Sequence, residues 1–170
     1  MNTSLLADSF EHHIWATIIL IDVCLELSPE QLDAAVPGTF GSILSTMRHT
    51  VGADASYLYA LSDGKVAEIA DEQMDLAELR TAIEQDGPAW TAYLATDPDP
   101  AADCVRHRDD GSASHAPVGV RLTQAIHHGT DHRSQICTAL TSLGIEPPEI
   151  DVWAYAWSQG RLSDDPSPAD

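Results

Sequence analysis

The sequence predicts an all-α protein: a four-helix bundle with a short fifth helix near its C-terminal end. Three observations carry this. Four long segments repeat apolar residues at steps of three and four, which lines one face of a helix. Turn-forming stretches separate these segments, so neighbouring helices can fold back on one another. The length of 170 residues and a hydrophobic fraction of 44% suit one domain with its own core. Residues 1–160 are expected to form that domain. Residues 161–170, with Ser163-Asp164-Asp165-Pro166-Ser167-Pro168, read as a disordered tail.

The first helix is expected over residues 3–27, with Leu6, Phe10, Ile14, Ile18, Ile21 and Leu25 as its apolar row. Ser28-Pro29-Glu30 stops it and starts a short turn, Ser28 as N-cap and Pro29 at the first helical position. Val36-Pro37-Gly38-Thr39 is a loop. The second helix opens near Ser42 and runs to about Leu61 through Ile43, Met47, Val51, Ala55 and Leu58. Beside that row lie small residues, Ser45, Thr46, Gly52, Ala53 and Ser56, with His49 among them. Small neighbours allow another helix to approach His49 closely. The acidic residues 66–74 show no clear pattern. The third helix spans residues 75–94, and Pro88 is expected to kink or split it. Residues 104–107 read as a strand before an Asp109-Asp110-Gly111-Ser112 turn, which makes a short hairpin. The fourth helix runs from about Pro117 to Leu143, with Gly144 as its C′ residue. Residues 151–157 form the aromatic fifth helix.

Composition excludes several functions. There are 27 acidic residues against eight basic ones, a net charge of -19. Such a surface repels phosphate backbones and anionic lipid, so neither nucleic acid nor membrane is an expected partner. No apolar run reaches the ~18 residues of a membrane span. Met1-Asn2-Thr3-Ser4 carries no basic leader, so a cytoplasmic location is expected. Cys24, Cys104 and Cys137 are odd in number and far apart, which is no disulfide framework. Cys24 and Cys137 fall in apolar helical patterns, and Cys104 falls in an irregular stretch that leaves it exposed.

Histidine carries the chemistry. His128 and His132 are four residues apart and share one face of the fourth helix. Ala125, Ile136, Ala139 and Leu143 extend the same stripe, so the pair should face the interior. Buried imidazoles need a partner for each ring nitrogen. The spacing alone leaves two readings: a shared metal ion, or hydrogen bonds to other side chains. His127 lies about 100° round the helix from His128 and should point away. A catalytic metal site usually takes three protein ligands and keeps one position open. His49 is the foremost candidate for the third ligand, followed by His12 and His13. Asp54 and Asp131 are close in sequence to these histidines, with Asp131 one position off the face. His107 and His115 read as surface residues.

Several stretches together resemble one family. They are Phe10-Glu11-His12-His13-Ile14-Trp15-Ala16, then Gly41-Ser42-Ile43 with Met47-Arg48-His49 and Asp54-Ala55-Ser56-Tyr57-Leu58. His128-Gly129-Thr130-Asp131-His132-Arg133-Ser134-Gln135-Ile136 and Leu143-Gly144-Ile145-Glu146-Pro147-Pro148 follow. Over nearly its whole length the chain resembles the DinB/YfiT-like metalloproteins. The resemblance implies a helical bundle with a divalent metal held by three side chains. It carries the ligand roles onto His49, His128 and His132, and it implies frequent homodimers. Gln124 stands where many members have a further histidine, and Ser134 replaces the usual glycine; both bear on the pocket wall.

The expected function is that of a metal-dependent enzyme acting on a small molecule. The foremost reading is a thiol S-transferase or related enzyme using a low-molecular-weight thiol such as mycothiol or bacillithiol. A metal-dependent hydrolase is the first alternative, and a non-catalytic metal or small-molecule binding protein the second. All-nitrogen ligation suits zinc or nickel foremost, and iron. Asp54 or Asp131 would orient an imidazole through its free N–H. His12 or His13 would reach the pocket as an acid–base group. Arg133 would anchor an anionic group or a carbonyl, against the simpler reading of a salt bridge with a nearby acid.

Overall fold

Four helices of 19 to 25 residues form the body of the molecule. A computed structural model describes residues 5–108 and 110–164, without the side chain of Leu5. In chain order the elements are α1 (Leu5–Cys24), α2 (Pro29–Leu32), α3 (Ile43–Leu61), α4 (Leu76–Leu94), β1 (Asp103–His107), β2 (Ala113–Pro117), α5 (Val118–Ser142) and α6 (Val152–Ser158). The long helices pack in the cyclic order α1, α4, α3, α5, so α1 lies diagonally across from α3. α6 rests on α1.

Local chemistry sets the helix ends. Ser28 caps α2 in a reciprocal capping box with Gln31, and Asp75 does the same for α4 with Glu78. Ser42 caps α3 by accepting from the Ser45 N–H. α5 closes in a Schellman motif: Gly144 has φ 75°, its N–H donates to the Thr141 carbonyl, and the Ile145 N–H donates to Leu140. α4 continues through Pro88, so the expected break does not occur. The proline sits well inside the helix, and Trp90, Leu79 and Ile83 bury the helix on both sides of it. The hairpin forms as expected, with Val105 opposite His115. Cys104 is a correction: it is buried, and its Sγ contacts the Ala60 carbonyl. Period-2 alternation turns it inward from β1. Arg161, at the start of the expected tail, pairs with both carboxylate oxygens of Asp8. Residues 162–164 of that expected tail carry no helix or strand, and residues 165–170 lie outside the described residues.

The core is two apolar clusters with a polar level between them. One cluster includes Leu20, Ile21, Met47, Val51, Leu79, Ile83, Ile136 and Leu140. The other includes Phe10, Leu58, Leu61, Trp90, Val118, Leu122 and Ala125. Between them, each long helix contributes buried polar groups: His13 and Thr17 from α1, Asp54 from α3, Asp86 from α4 and Arg133 from α5. This level shifts the expected apolar row of α1. Leu6 and Leu25 are exposed, Ile14 and Ile18 are partly buried against the core, and the fully inward residues are Phe10, His13, Thr17, Leu20, Ile21 and Cys24. A polar residue can hold a core position when partners satisfy it.

Asp86 is the exception within this level. It is buried, and its Oδ2 has no hydrogen-bond partner among the described residues. Burial, with the nearby Asp54 carboxylate adding to it, pushes its carboxyl up to about 7. The folded protein therefore keeps a proton that the unfolded chain releases above the ordinary carboxylate value. Stability falls as pH rises through that window. Asp86→Asn should remove this loss. Relative to wild type, the variant should gain stability between pH 4 and 7 by about 1.4 kcal/mol per pH unit of the window. Urea unfolding at several pH values measures the difference, and a difference that stays constant with pH rules out a neutral Asp86.

Candidate metal centre

α5 presents two different groups to two different neighbours. His128 and His132 face α3, where His49 meets them. Gly129 and Arg133, one position further round, face α1. The innermost line of α5 is thus Leu122, Ala125, Gly129, Arg133, Ile136 and Leu140. The histidine pair lies on the flank of this line, with His132 buried and His128 half-buried.

The three imidazoles converge through their Nε2 atoms. His128 Nε2 is 3.1 Å from His49 Nε2 and 3.2 Å from His132 Nε2. All three ligand atoms lie within 4.8 Å of one another. Ligands on a tetrahedral ion with ~2.0–2.1 Å bonds stand about 3.3 Å apart, so the two separations from His128 match ligation of one ion. Hydrogen bonding alone satisfies this arrangement poorly. His128 Nε2 carries at most one proton, so it can donate across only one of its two contacts. Burial, then the neighbouring His132 and His49, pushes the His128 imidazole down to about 4. Burial followed by His132 also lowers His49. Both shifts favour the neutral imidazole that a metal requires.

Two residues without an expected role hold the trio. Gln135 Oε1 lies 3.2 Å from His132 Nδ1 and also accepts from the Phe40 N–H at 2.8 Å. The Phe40 ring stacks on His49 with centroids 4.1 Å apart and planes 7° apart, and it makes a T-shaped contact with His132 with centroids 5.4 Å apart. Gln135 was open to detection, because residues three apart on a helix are neighbours. Phe40 was not, since it belongs to the loop before α3. Tyr57 stands edge-on to His128. Asp71 packs against Gly52, one turn beyond His49, and its charge acts on His49. The small-residue row beside His49 thus admits this carboxylate as well as α5.

The other expected site residues sit elsewhere. His13 is not with the trio. It is buried, and its Nε2 lies 2.9 Å from Asp54 Oδ1. Arg133 donates to His13 Nδ1 at 3.0 Å, to Thr17 Oγ1 at 3.1 Å and to Thr130 Oγ1 at 3.2 Å. A guanidinium only donates, so His13 accepts at Nδ1 and donates from Nε2 to Asp54. Trp90 Nε1 donates to the other Asp54 oxygen at 2.8 Å. Asp54 therefore orients His13, not one of the three converging imidazoles. Arg133 makes no salt bridge, the preferred expectation, but it does reach a carbonyl, that of His13 at 3.4 Å; burial pushes it down to about 10, and its partners are neutral. His12 bonds the Ile150 carbonyl. Asp131 and His127 are exposed, and Asp131 makes no hydrogen bond to the trio among the described residues. A groove of about 840 Å³ between α1, α5 and α6 includes His12, Arg133 and Cys137, on another face of α5 from the trio.

With this geometry established, comparison with known proteins adds the family. The DinB family model matches residues 1–167. The chain belongs to the DinB family. No curated protein matches it. Membership of the DinB family agrees with the bundle and with a three-histidine cluster able to hold a divalent metal. No helix among the described residues is long and apolar enough to cross a membrane.

One glycine of the DinB-like α5 stretch has a clear steric reason. A Cβ on Gly129 would lie 2.3 Å from His13 Cε1 and 3.0 Å from an Arg133 nitrogen. Neither neighbour has room to retreat in a filled core. Gly129→Ala should therefore lower stability by ~1–3 kcal/mol through overpacking. Chemical denaturation checks the loss; a variant as stable as wild type would mean that His13 can leave this position freely.

Proposed function

We propose that His49, His128 and His132 hold one divalent metal ion and that the protein is a metal-dependent enzyme of the thiol S-transferase type. The convergence of three Nε2 atoms carries this reading. Zinc, nickel and iron all suit an all-imidazole donor set. Bound there, the ion would supply a Lewis acid at an open position, able to acidify a thiol or water.

The protein's own side chains favour the thiol over water. Water attack on an ester benefits from a nearby general base. Among the described residues no carboxylate hydrogen-bonds into the trio. Asp54 is already committed to His13 and Trp90. A thiol ionises far more readily than water and has less need of such a base. Asp71 keeps the hydrolase reading open, because it is the carboxylate whose charge reaches His49. A purely binding role is the third reading. Phe40 and Tyr57 flank the imidazoles and would give a substrate aromatic walls.

We place this activity in the cytoplasm, on a small-molecule substrate and without nucleic acid, in keeping with the -19 charge. A homodimer would have an apolar surface to use, since Val152, Trp153 and Trp157 of α6 are all more than half exposed.

Metal analysis of untagged protein tests the site. Wild type should hold about one ion per chain, His128→Ala with His132→Ala should hold none, and His127→Ala should match wild type. Full retention in the double variant sinks the centre. Turnover of a low-molecular-weight thiol with an electrophile, against turnover of simple esters, then separates transferase from hydrolase. No turnover of either supports a binding protein.

A further inference from the structure

Gln135 touches a converging imidazole without itself converging. Its amide oxygen faces two groups, the Phe40 backbone N–H at 2.8 Å and His132 Nδ1 at 3.2 Å. The two ends of a glutamine amide are often interchangeable, but here one neighbour settles the orientation. A backbone N–H can only donate, so the atom facing it must be the oxygen. The same oxygen faces His132 Nδ1, and an oxygen without a proton can only accept. His132 Nδ1 must therefore carry the hydrogen. In the neutral ring this leaves a free lone pair on Nε2, the atom that points at His128 and His49.

We propose that Gln135 is a positioning residue: it locks His132 into the Nδ1-protonated tautomer, with the Phe40 backbone N–H as the fixed reference donor. The inference rests on the metal-centre reading for its purpose, although the tautomer itself does not need a metal. Phe40 contributes in two separable ways. Its N–H orders Gln135, and its ring stacks on His49 at 4.1 Å. The loop before α3 thereby ties an imidazole of α3 to one of α5. Hydrogen bonds from the outer nitrogen of a ligating histidine commonly raise metal affinity by roughly 10–100-fold.

The test uses the full-length protein and three variants. Long-range ¹H–¹⁵N spectra of the metal-free protein at neutral pH read the protonated nitrogen of each histidine. Wild type should show His132 protonated at Nδ1. Gln135→Leu should lose this preference and give a mixture of tautomers, whereas Gln135→Glu, which still accepts, should keep it. Phe40→Leu retains the backbone N–H and should keep the His132 tautomer too. Zinc titration should show Gln135→Leu roughly 10–100-fold weaker than wild type, with Gln135→Glu restoring most of the affinity. The cobalt-loaded protein should show a changed d–d spectrum in Gln135→Leu and not in Gln135→Glu. If Gln135→Leu fails to fold, the wild-type tautomer and the Gln135→Glu and Phe40→Leu spectra still decide the matter. A wild-type His132 protonated at Nε2, or unchanged tautomer and zinc affinity in Gln135→Leu, overturns the proposal. Absence of zinc binding by wild type would instead remove the metal-centre reading, and the tautomer result would stand by itself.

Discussion

The buried chain from Arg133 through His13 to Asp54 is the constraint on which the rest of the bundle depends. It runs from α5 through α1 to α3, across the diagonal of the bundle, and Trp90 extends it to α4. Every long helix therefore has a polar atom committed at one level of the core. Apolar packing tolerates small slips, because exchanging one methyl contact for another costs little. A donor that misses its acceptor in the interior loses its full desolvation cost. Leaving one member of this buried chain unpaired costs ~1–3 kcal/mol or more where the group is charged, so the level acts as a register mark for all four helices. The two apolar clusters supply bulk stabilisation on either side of it.

This register mark also places the three-histidine cluster. Gly129 and Arg133 dock on α1 while His128 and His132 face α3, and the two sets differ by one residue, or about 100° of rotation. Fixing the first set fixes the second. Gly129 matters because the helix must come close enough for His13 to reach Asp54. The six residues from His128 to Arg133 thus combine a face that docks on α1 and a face that meets His49 in less than two helical turns. That explains why a charged residue beside a converging histidine can be buried without joining the cluster: it holds the helix at the angle the imidazoles need.

Much of this was legible in the sequence. Long apolar periods marked the four helices, the Ser28 cap and the stop at Gly144 followed from side-chain and backbone chemistry, and the starts near Ser42 and Asp75 were read without their capping roles. The convergence of His49 on His128 and His132 was foreshadowed by one spacing and one row of small residues. What stayed hidden was the polar level, because hydropathy counts His13, Thr17 and Asp54 as outward residues. Only three-dimensional pairing lets them face inward. The roles of Phe40 and Asp71 were hidden for a related reason, since both lie in connecting segments whose path is set by tertiary contacts. Asp54 illustrates the difference between nearness in sequence and in space: it is five residues from His49, yet its partner is His13, 41 positions away.

His13 and His132 then show how one fold makes, from the same side chain, a histidine used up within the core and one with a ring nitrogen turned to two other imidazoles. Each faces a neighbour that leaves no choice of proton position. Arg133 can only donate to His13 Nδ1, which sends the proton to Nε2 and into the Asp54 carboxylate. Gln135, oriented by the Phe40 N–H, can only accept from His132 Nδ1, which leaves Nε2 bare. The first ring has used both nitrogens within the core and has nothing left to offer an ion. The second has one lone pair unspent and aimed at two other imidazoles. Which atom the outer neighbour presents, a donor or an acceptor, decides whether a buried imidazole joins helices or awaits a cation.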